Sequence, residues 1–260
     1  MAKARIHIPE EIAPFLVAED CADFPINRYI LTANQQEIYE DIIDLQETVE
    51  EMHELGMDYL NTTLLYGGSG TGKTTFGRYL AYTLDKDFVY INFANLLDGI
   101  FGSTTRNLEK IFQFIATANC VFMLDEIDCI AVKRGEEDSA TGGELSRITI
   151  SLMQDFDKCK RDRVKTIILG GTNRLDRIDP ALLSRFSITK EIKLMTNSEK
   201  QQYIENFLQE VKIPYSVENI KRYCAENSLV NIRNVEADIS RCTVRWIKNN
   251  KQDFCLERIR

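Results

Sequence analysis

Residues 64–74 read Leu-Leu-Tyr-Gly-Gly-Ser-Gly-Thr-Gly-Lys-Thr. An apolar, β-branched run at 62–66 precedes the glycines, and a run with helical spacing at 75–84 follows them. A buried strand that turns at once into a helix restricts the available topologies, because its turn needs residues that accept unusual backbone angles. Such a turn aims successive N–H groups inward, at an anion. The helix N-terminus adds the positive end of its dipole. At the end of the pattern, Lys73 suits the β- and γ-phosphates and the Thr74 hydroxyl suits Mg²⁺. A glycine-rich turn with an unrelated lysine would share the spacing, but not the strand before it and the helix after it. Gly67, Gly68, Ser69, Gly70, Thr71, Gly72, Lys73, Thr74 and Thr75 are therefore read as nucleotide-binding residues, with a nucleoside triphosphate and Mg²⁺ as ligands.

The rest of the chain supports the fold this loop requires. Residues 1–33 are interrupted by Pro9, Pro14 and Pro25 and are expected to form an irregular arm with at most short elements. A helix is expected at 34–55, where Ile38, Ile42, Leu45, Val49 and Met52 recur at helical spacing; its other face is acidic and is read as solvated. Strands are expected at 62–66, 88–92, 120–125, 166–170 and 189–194. Helices alternate with them at 74–84, 104–118 and 143–156, with a short one from Pro180 capped by Asp179. This alternation predicts an α/β fold with a five-stranded parallel sheet between helices. After Thr196 the strand pattern stops, and 198–211, 217–226 and 232–250 read as helices. The expected domains are an arm at 1–33, an α/β nucleotide-binding subdomain at 34–195 and a small all-helical lid at 196–260.

A second motif follows about fifty residues after the first. Val121-Phe122-Met123-Leu124 ends in Asp125 and Glu126, at the carboxyl end of a buried strand, where α/β sheets bind ligands. Asp125 is the expected partner of Thr74 in holding Mg²⁺. Glu126 is the expected group for polarising an attacking water. Asn173, after the apolar run 165–171, offers an amide to the γ-phosphate or that water. Charged residues where a strand leaves the core are common, so it is the pairing with the phosphate loop that points to hydrolysis.

Taken together, these segments resemble the AAA+ ATPases, and the classical AAA branch in particular. Gly67–Thr74 is similar to Walker A and Phe122–Glu126 to Walker B, while 171–183 resembles the second region of homology, with Asn173 as sensor 1. Ser184-Arg185-Phe186 resembles the arginine-finger segment of the katanin, spastin and ESCRT-disassembly branch, with Ser184 where that branch has a second arginine. The resemblance implies that Arg185 reaches the nucleotide of a neighbouring subunit, that turnover depends on assembly, and that the assembly is a homo-oligomeric ring, most simply a hexamer. It further implies a sensor 2 role for Arg233, an interface acid at Asp157 and an interface arginine at Arg147. The segment 98–103 resembles pore loop 1, with Ile100 and Phe101 as the residues that grip a polypeptide, and 132–141 resembles a second pore loop.

Two functions stay open at this stage. The first is an ATP-driven remodeller that threads or pulls a protein substrate. The second is a nucleic-acid-linked AAA+ ATPase, such as a clamp loader or a replication or transposition helper. A formal net charge of -8 favours the first, because phosphate-backbone binding wants basic surface, although a local patch at 158–163 leaves nucleic acid open. No apolar run is long enough to cross a bilayer. The seven cysteines lack C-x-x-C spacing and there are two histidines, so a zinc site is not expected and a reducing, cytoplasmic setting is.

Overall fold

Strands with no polar face need cover on both sides, and the sequence places four such runs between amphipathic helices. The computed structural model describes residues 6–91, 93–97, 104–130 and 142–258. It divides into two compact units, one comprising Met1–Phe24, Glu37–Gly67 and Lys73–Glu191, the other Pro25–Gln36, Gly68–Gly72 and Ile192–Arg260.

The first unit is built on β1 (Leu16–Glu19), β2 (Thr62–Tyr66), β3 (Phe88–Ile91), β4 (Val121–Leu124), β5 (Ile167–Thr172) and β6 (Ile188–Glu191), in the sheet order β1-β3-β4-β5-β2-β6. The five strands from β3 to β6 pair in parallel, as the alternation predicted. Every residue of β4 and β5 is buried, whereas the edge strand β6 alternates half-buried and exposed positions. The sheet has six strands rather than five. Within the stretch expected to be irregular, β1 pairs antiparallel with β3, Leu16 opposite Ile91 and Glu19 opposite Phe88. Four residues between prolines are too few to show a period. What places them is a distant partner: Arg78 donates to both carboxylate oxygens of Glu19, from Nε at 2.7 Å and Nη2 at 3.0 Å.

The helices of this unit are α1 (Ala33–Glu54, which begins in the second unit), α2 (Lys73–Thr83), α3 (Phe93–Leu97), α4 (Thr104–Ala118), α5 (Gly142–Arg161) and α6 (Pro180–Leu183). The Asp179 side chain caps α6 by accepting from Ala181 N, with Pro180 in the first turn where no N–H is needed. A run of edge-on aromatic contacts continues through the core, Phe122 to Phe112 to Phe156 to Phe186, with centroids 6.0, 5.6 and 5.3 Å apart. Each such ring contributes about 1.5–3 kcal/mol by burial alone.

The second unit packs α7 (Asn197–Glu210), α8 (Val217–Glu226) and α9 (Ile232–Lys248) around Ile204, Leu208, Ile220, Tyr223 and Ile239. Thr196 and Glu199 form a reciprocal capping box, and Ser216 and Asn231 cap the next two helices. Lys200 is fully buried, and its ammonium donates to the carbonyls of Asn227 and Ser228 at 2.7 and 2.9 Å. That charge satisfies carbonyls left over at the end of α8. The segment 25–36 belongs to this unit: the Arg28 guanidinium lies 4.7 Å over the Phe207 ring and donates to Glu210.

Candidate active site

β2 delivers the chain to Gly67, whose N–H donates to the carbonyl of Thr172 on β5 at 3.3 Å. α2 begins at Lys73, which is only 7% exposed. A cation is buried cheaply only against oxygen partners. Lys73 Nζ has them: it donates to the Gly67 carbonyl at 3.0 Å and to Asn173 Oδ1 at 2.7 Å. The next residue, Thr74, donates its hydroxyl to Asp125 Oδ2 at 2.6 Å. The first unit therefore gathers Lys73, Thr74, Asp125 and Asn173, which are up to 100 residues apart in sequence. Thr75 is exposed one position further along α2.

Glu126 is exposed directly after the buried strand, with its N–H donating to Asp125 Oδ1 at 3.0 Å. Its φ of 54° and ψ of 39° lie in the left-handed region. For a residue with a Cβ that conformation costs roughly 1–2 kcal/mol, and such strain gathers at functional sites.

Two residues to which the sequence assigns no role, Asp128 and Thr172, brace this arrangement. Asp128 Oδ1 accepts from the Thr172 hydroxyl at 2.7 Å, and the same hydroxyl accepts from Arg174 N at 2.9 Å. The turn after β4 is thereby tied to the residue before Asn173. The acid two positions after Glu126 and the threonine before Asn173 were the available signals, but their pairing depends on β4 and β5 being neighbours.

Within the second unit, Gly70 has a φ of +75°, and a Cβ there would meet the Asn231 amide at 2.9 Å. Glycine is needed on both counts. Asn231 Nδ2 donates to the Ser69 carbonyl at 2.9 Å while its Oδ1 caps α9. Arg233, two residues on, places Nη1 3.5 Å from Ser69 Oγ. Thr71 is buried with its hydroxyl donating to the Gly68 carbonyl, and Gly68 and Ser69 are exposed.

Arg185 lies at the other end of β2. Its carbonyl accepts from the hydroxyl of Thr62, the first residue of that strand, whereas Gly67 follows the last. At about 3.3 Å per residue the two ends are some 13 Å apart or more, beyond the reach of an arginine side chain. The guanidinium donates to Asp157 Oδ2 at 3.2 Å, to the Ala181 carbonyl at 2.9 Å and to Ser184 Oγ at 3.2 Å. It lines a cleft of about 240 Å³ with Tyr59, Phe156, Asp157 and Lys160. Arg147 is exposed on α5. Ile100, Phe101 and 132–141 lie outside the described residues.

The donor set fits a magnesium nucleotide. Among the described residues no three His, Cys, Asp or Glu side chains gather to hold a metal by themselves. A carboxylate and a hydroxyl 2.6 Å apart, at the mouth of a phosphate-type loop, match an ion that keeps water and phosphate oxygens as its other ligands. No helix among the described residues is long and apolar enough to cross a membrane.

Comparison with known proteins agrees with this geometry. A family model described as "ATPase family associated with various cellular activities (AAA)" matches residues 63–194, just over half of the chain, from β2 through β6. The peroxisomal ATPase PEX6 of Saccharomyces cerevisiae is 34% identical over 144 residues, 55% of this chain and 14% of that protein. The proteasome-activating nucleotidase of Sulfurisphaera tokodaii is 28% identical over 228 residues, 75% of this chain and 58% of that protein. The chain thus spans less than two thirds of the length of these relatives. A chain in the solved E. coli MS115-1 HORMA:CdnC:Trip13 complex shares the fold, with a TM-score of 0.70, 15% identity and coverage of 96% of this chain and 94% of that one. With a phosphate-type loop, an acid pair after β4, a polar amide after β5 and a family match that spans all three, this chain belongs to the AAA family of ATPases.

Proposed function

We propose that the chain is a magnesium-dependent ATPase that works as a homo-oligomeric ring, most simply a hexamer, and couples turnover to remodelling a protein substrate. The observation that supports the reading is the separation of Arg185 from Lys73 and Thr74 along a single strand, which keeps its guanidinium away from the phosphate loop of its own chain.

In this reading the backbone N–H groups of 67–72 and the Lys73 ammonium hold the phosphates, after Lys73 exchanges its Asn173 contact for a phosphate oxygen. Thr74 and Asp125 hold Mg²⁺, which when bound neutralises charge developing on the phosphates. Glu126 takes the proton of the attacking water, and Asn173 orients that water or the γ-phosphate. Arg233, which shares a compact unit with Gly68–Gly72, adds a cation from the helical subdomain at 196–260. Arg185 stabilises the transition state in the neighbouring subunit, an effect worth about 10³–10⁵ in rate for arginine fingers generally. Asp157 holds Arg185 until the neighbour arrives, and Arg147 contributes to the same boundary. Ile100 and Phe101 are proposed to grip the substrate polypeptide. The relatives named for the peroxisome and the proteasome favour a protein substrate over nucleic acid. The scattered thiols suit a cytoplasmic setting.

Mixing two inactive variants tests the proposal. Lys73→Ala removes the site but keeps the finger, and Arg185→Ala does the reverse. Mixed oligomers should recover activity that neither variant has alone. Mixed assembly with no recovery rejects the shared site.

A further inference from the structure

A second cavity, of about 180 Å³, lies in the seam between α4 and α5. Phe112 and Ala116 from α4 and Cys159 from α5 give it apolar walls, and the charged groups lining it are Glu109 from α4, Asp155 and Lys158 from α5, and Asp162 in the turn just after α5. The two sets sit at helical spacing, 109, 112, 116 and 155, 158–159, 162, so each helix presents one face to the seam. Asp155 differs from the other acids. It is only 6% exposed, and its Oδ2 has no hydrogen-bond partner. Glu109, by contrast, is exposed and accepts from Gln113 Nε2. Lys158 is on the surface. A buried carboxylate oxygen without a donor is costly and is kept only with a compensating partner.

We propose that this pocket receives the cationic side chain of an arginine or lysine from a partner polypeptide. The stem of such a side chain would lie against Phe112, Ala116 and Cys159, and its head would donate to the Asp155 carboxylate once that side chain turns its enclosed Oδ2 into the slot, with Glu109 and Asp162 adding negative potential at the rim. A guanidinium supplies the several N–H donors that a carboxylate deep in an apolar slot can use, and buried arginines of this kind anchor interfaces. A metal ion is a poorer occupant, because no three acid, cysteine or histidine groups among the described residues converge on one point. Burial, reinforced by the Glu109 carboxylate, pushes the Asp155 carboxyl up to about 7, while Lys158 acts in the opposite direction. Binding should therefore weaken as pH falls through that value, since only the ionised acid accepts.

The test uses the full chain and two neutralised amino-acid probes, acetyl-arginine amide and acetyl-citrulline amide, followed by NMR of the aromatic and methyl groups of Phe112 and Ala116. The arginine probe should shift these resonances at pH 8, at least tenfold more weakly at pH 6, and the citrulline probe should not. Asp155→Asn should abolish the response. Ala116→Met, which fills the slot without touching charge, should abolish it too, so a folding defect in either variant does not decide the matter alone. Equal responses to both probes, or an undiminished response in folded Asp155→Asn, overturn the proposal. So does calcium chloride that shifts the same resonances and excludes the arginine probe.

Discussion

Gly171 offers a sharp test of the proposal that Asp125 and Thr74 hold magnesium. The residue sits in β5 opposite Leu65 of β2, with an ordinary extended backbone, so alanine meets no conformational barrier there. The obstacle is space. A Cβ at 171 would come within 2.6 Å of Asp125 Oδ1 and 2.8 Å of Met123 Cε. The methionine tip can swing aside, but the carboxylate is held by Thr74 Oγ1 at 2.6 Å and by Glu126 N at 3.0 Å. Relief at Gly171→Ala must therefore come mainly from moving Asp125. Overpacking costs about 1–3 kcal/mol, which for a chain of this size lowers Tm by roughly 2–12 °C. A strained hydrogen bond to a charged group forfeits about 1.5–3 kcal/mol, so the magnesium needed for half-maximal binding of a fluorescent ATP analogue should rise about tenfold or more. Gly170→Ala is the control: its Cβ would crowd Leu64 and Phe186, each at 2.8 Å, on the other side of the strand. That variant should lose comparable stability and keep the wild-type magnesium requirement. If Gly171→Ala binds magnesium nucleotide as the wild type does, or if both alanines shift the requirement equally, the assignment of Asp125 and Thr74 is refuted.

Glu126→Gln should retain ATP and lose hydrolysis by about 10²–10⁴-fold, the range for a general base; single-turnover product formation at the wild-type rate would remove Glu126 from the chemistry. Asp128→Ala, which frees the Thr172 hydroxyl, should lower kcat with little change in ATP affinity, and Asp128→Asn should restore part of it by keeping an acceptor; a binding defect without a rate defect would contradict a positioning role. Lys200→Met should destabilise the helical unit by about 1 kcal/mol in a denaturant titration, because the carbonyls of Asn227 and Ser228 lose a charged donor. Asp155 gives a pH signature: its folded pKa is raised, so the folded state binds the extra proton between the ordinary carboxylate range and about 7, and stability falls as pH rises through that window. Asp155→Asn should raise Tm more at pH 8 than at pH 5, and a pH-independent difference would contradict the burial argument.

The phosphate loop, the alternation of strands with helices and the acid pair were all legible, because each rests on local physics. Glycine conformations, a period of two or 3.6, and an apolar run ending in charge need no knowledge of distant partners. The parallel order β3-β4-β5-β2-β6 realises that alternation, and the helical cap at Asp179 follows from a backbone N–H two residues away. What the tertiary structure alone decided depends on residues brought together across long separations. β1 becomes a strand only because β3 and Arg78 wait for it. Asp128 meets Thr172 only because β4 and β5 are neighbours. Asp155 looks like any acid on an amphipathic helix until α4 closes over it. Arg185 is the clearest case. Its identity as an arginine is local, but the role proposed for it rests on lying at the opposite end of β2 from Lys73, a distance that a linear sequence does not contain.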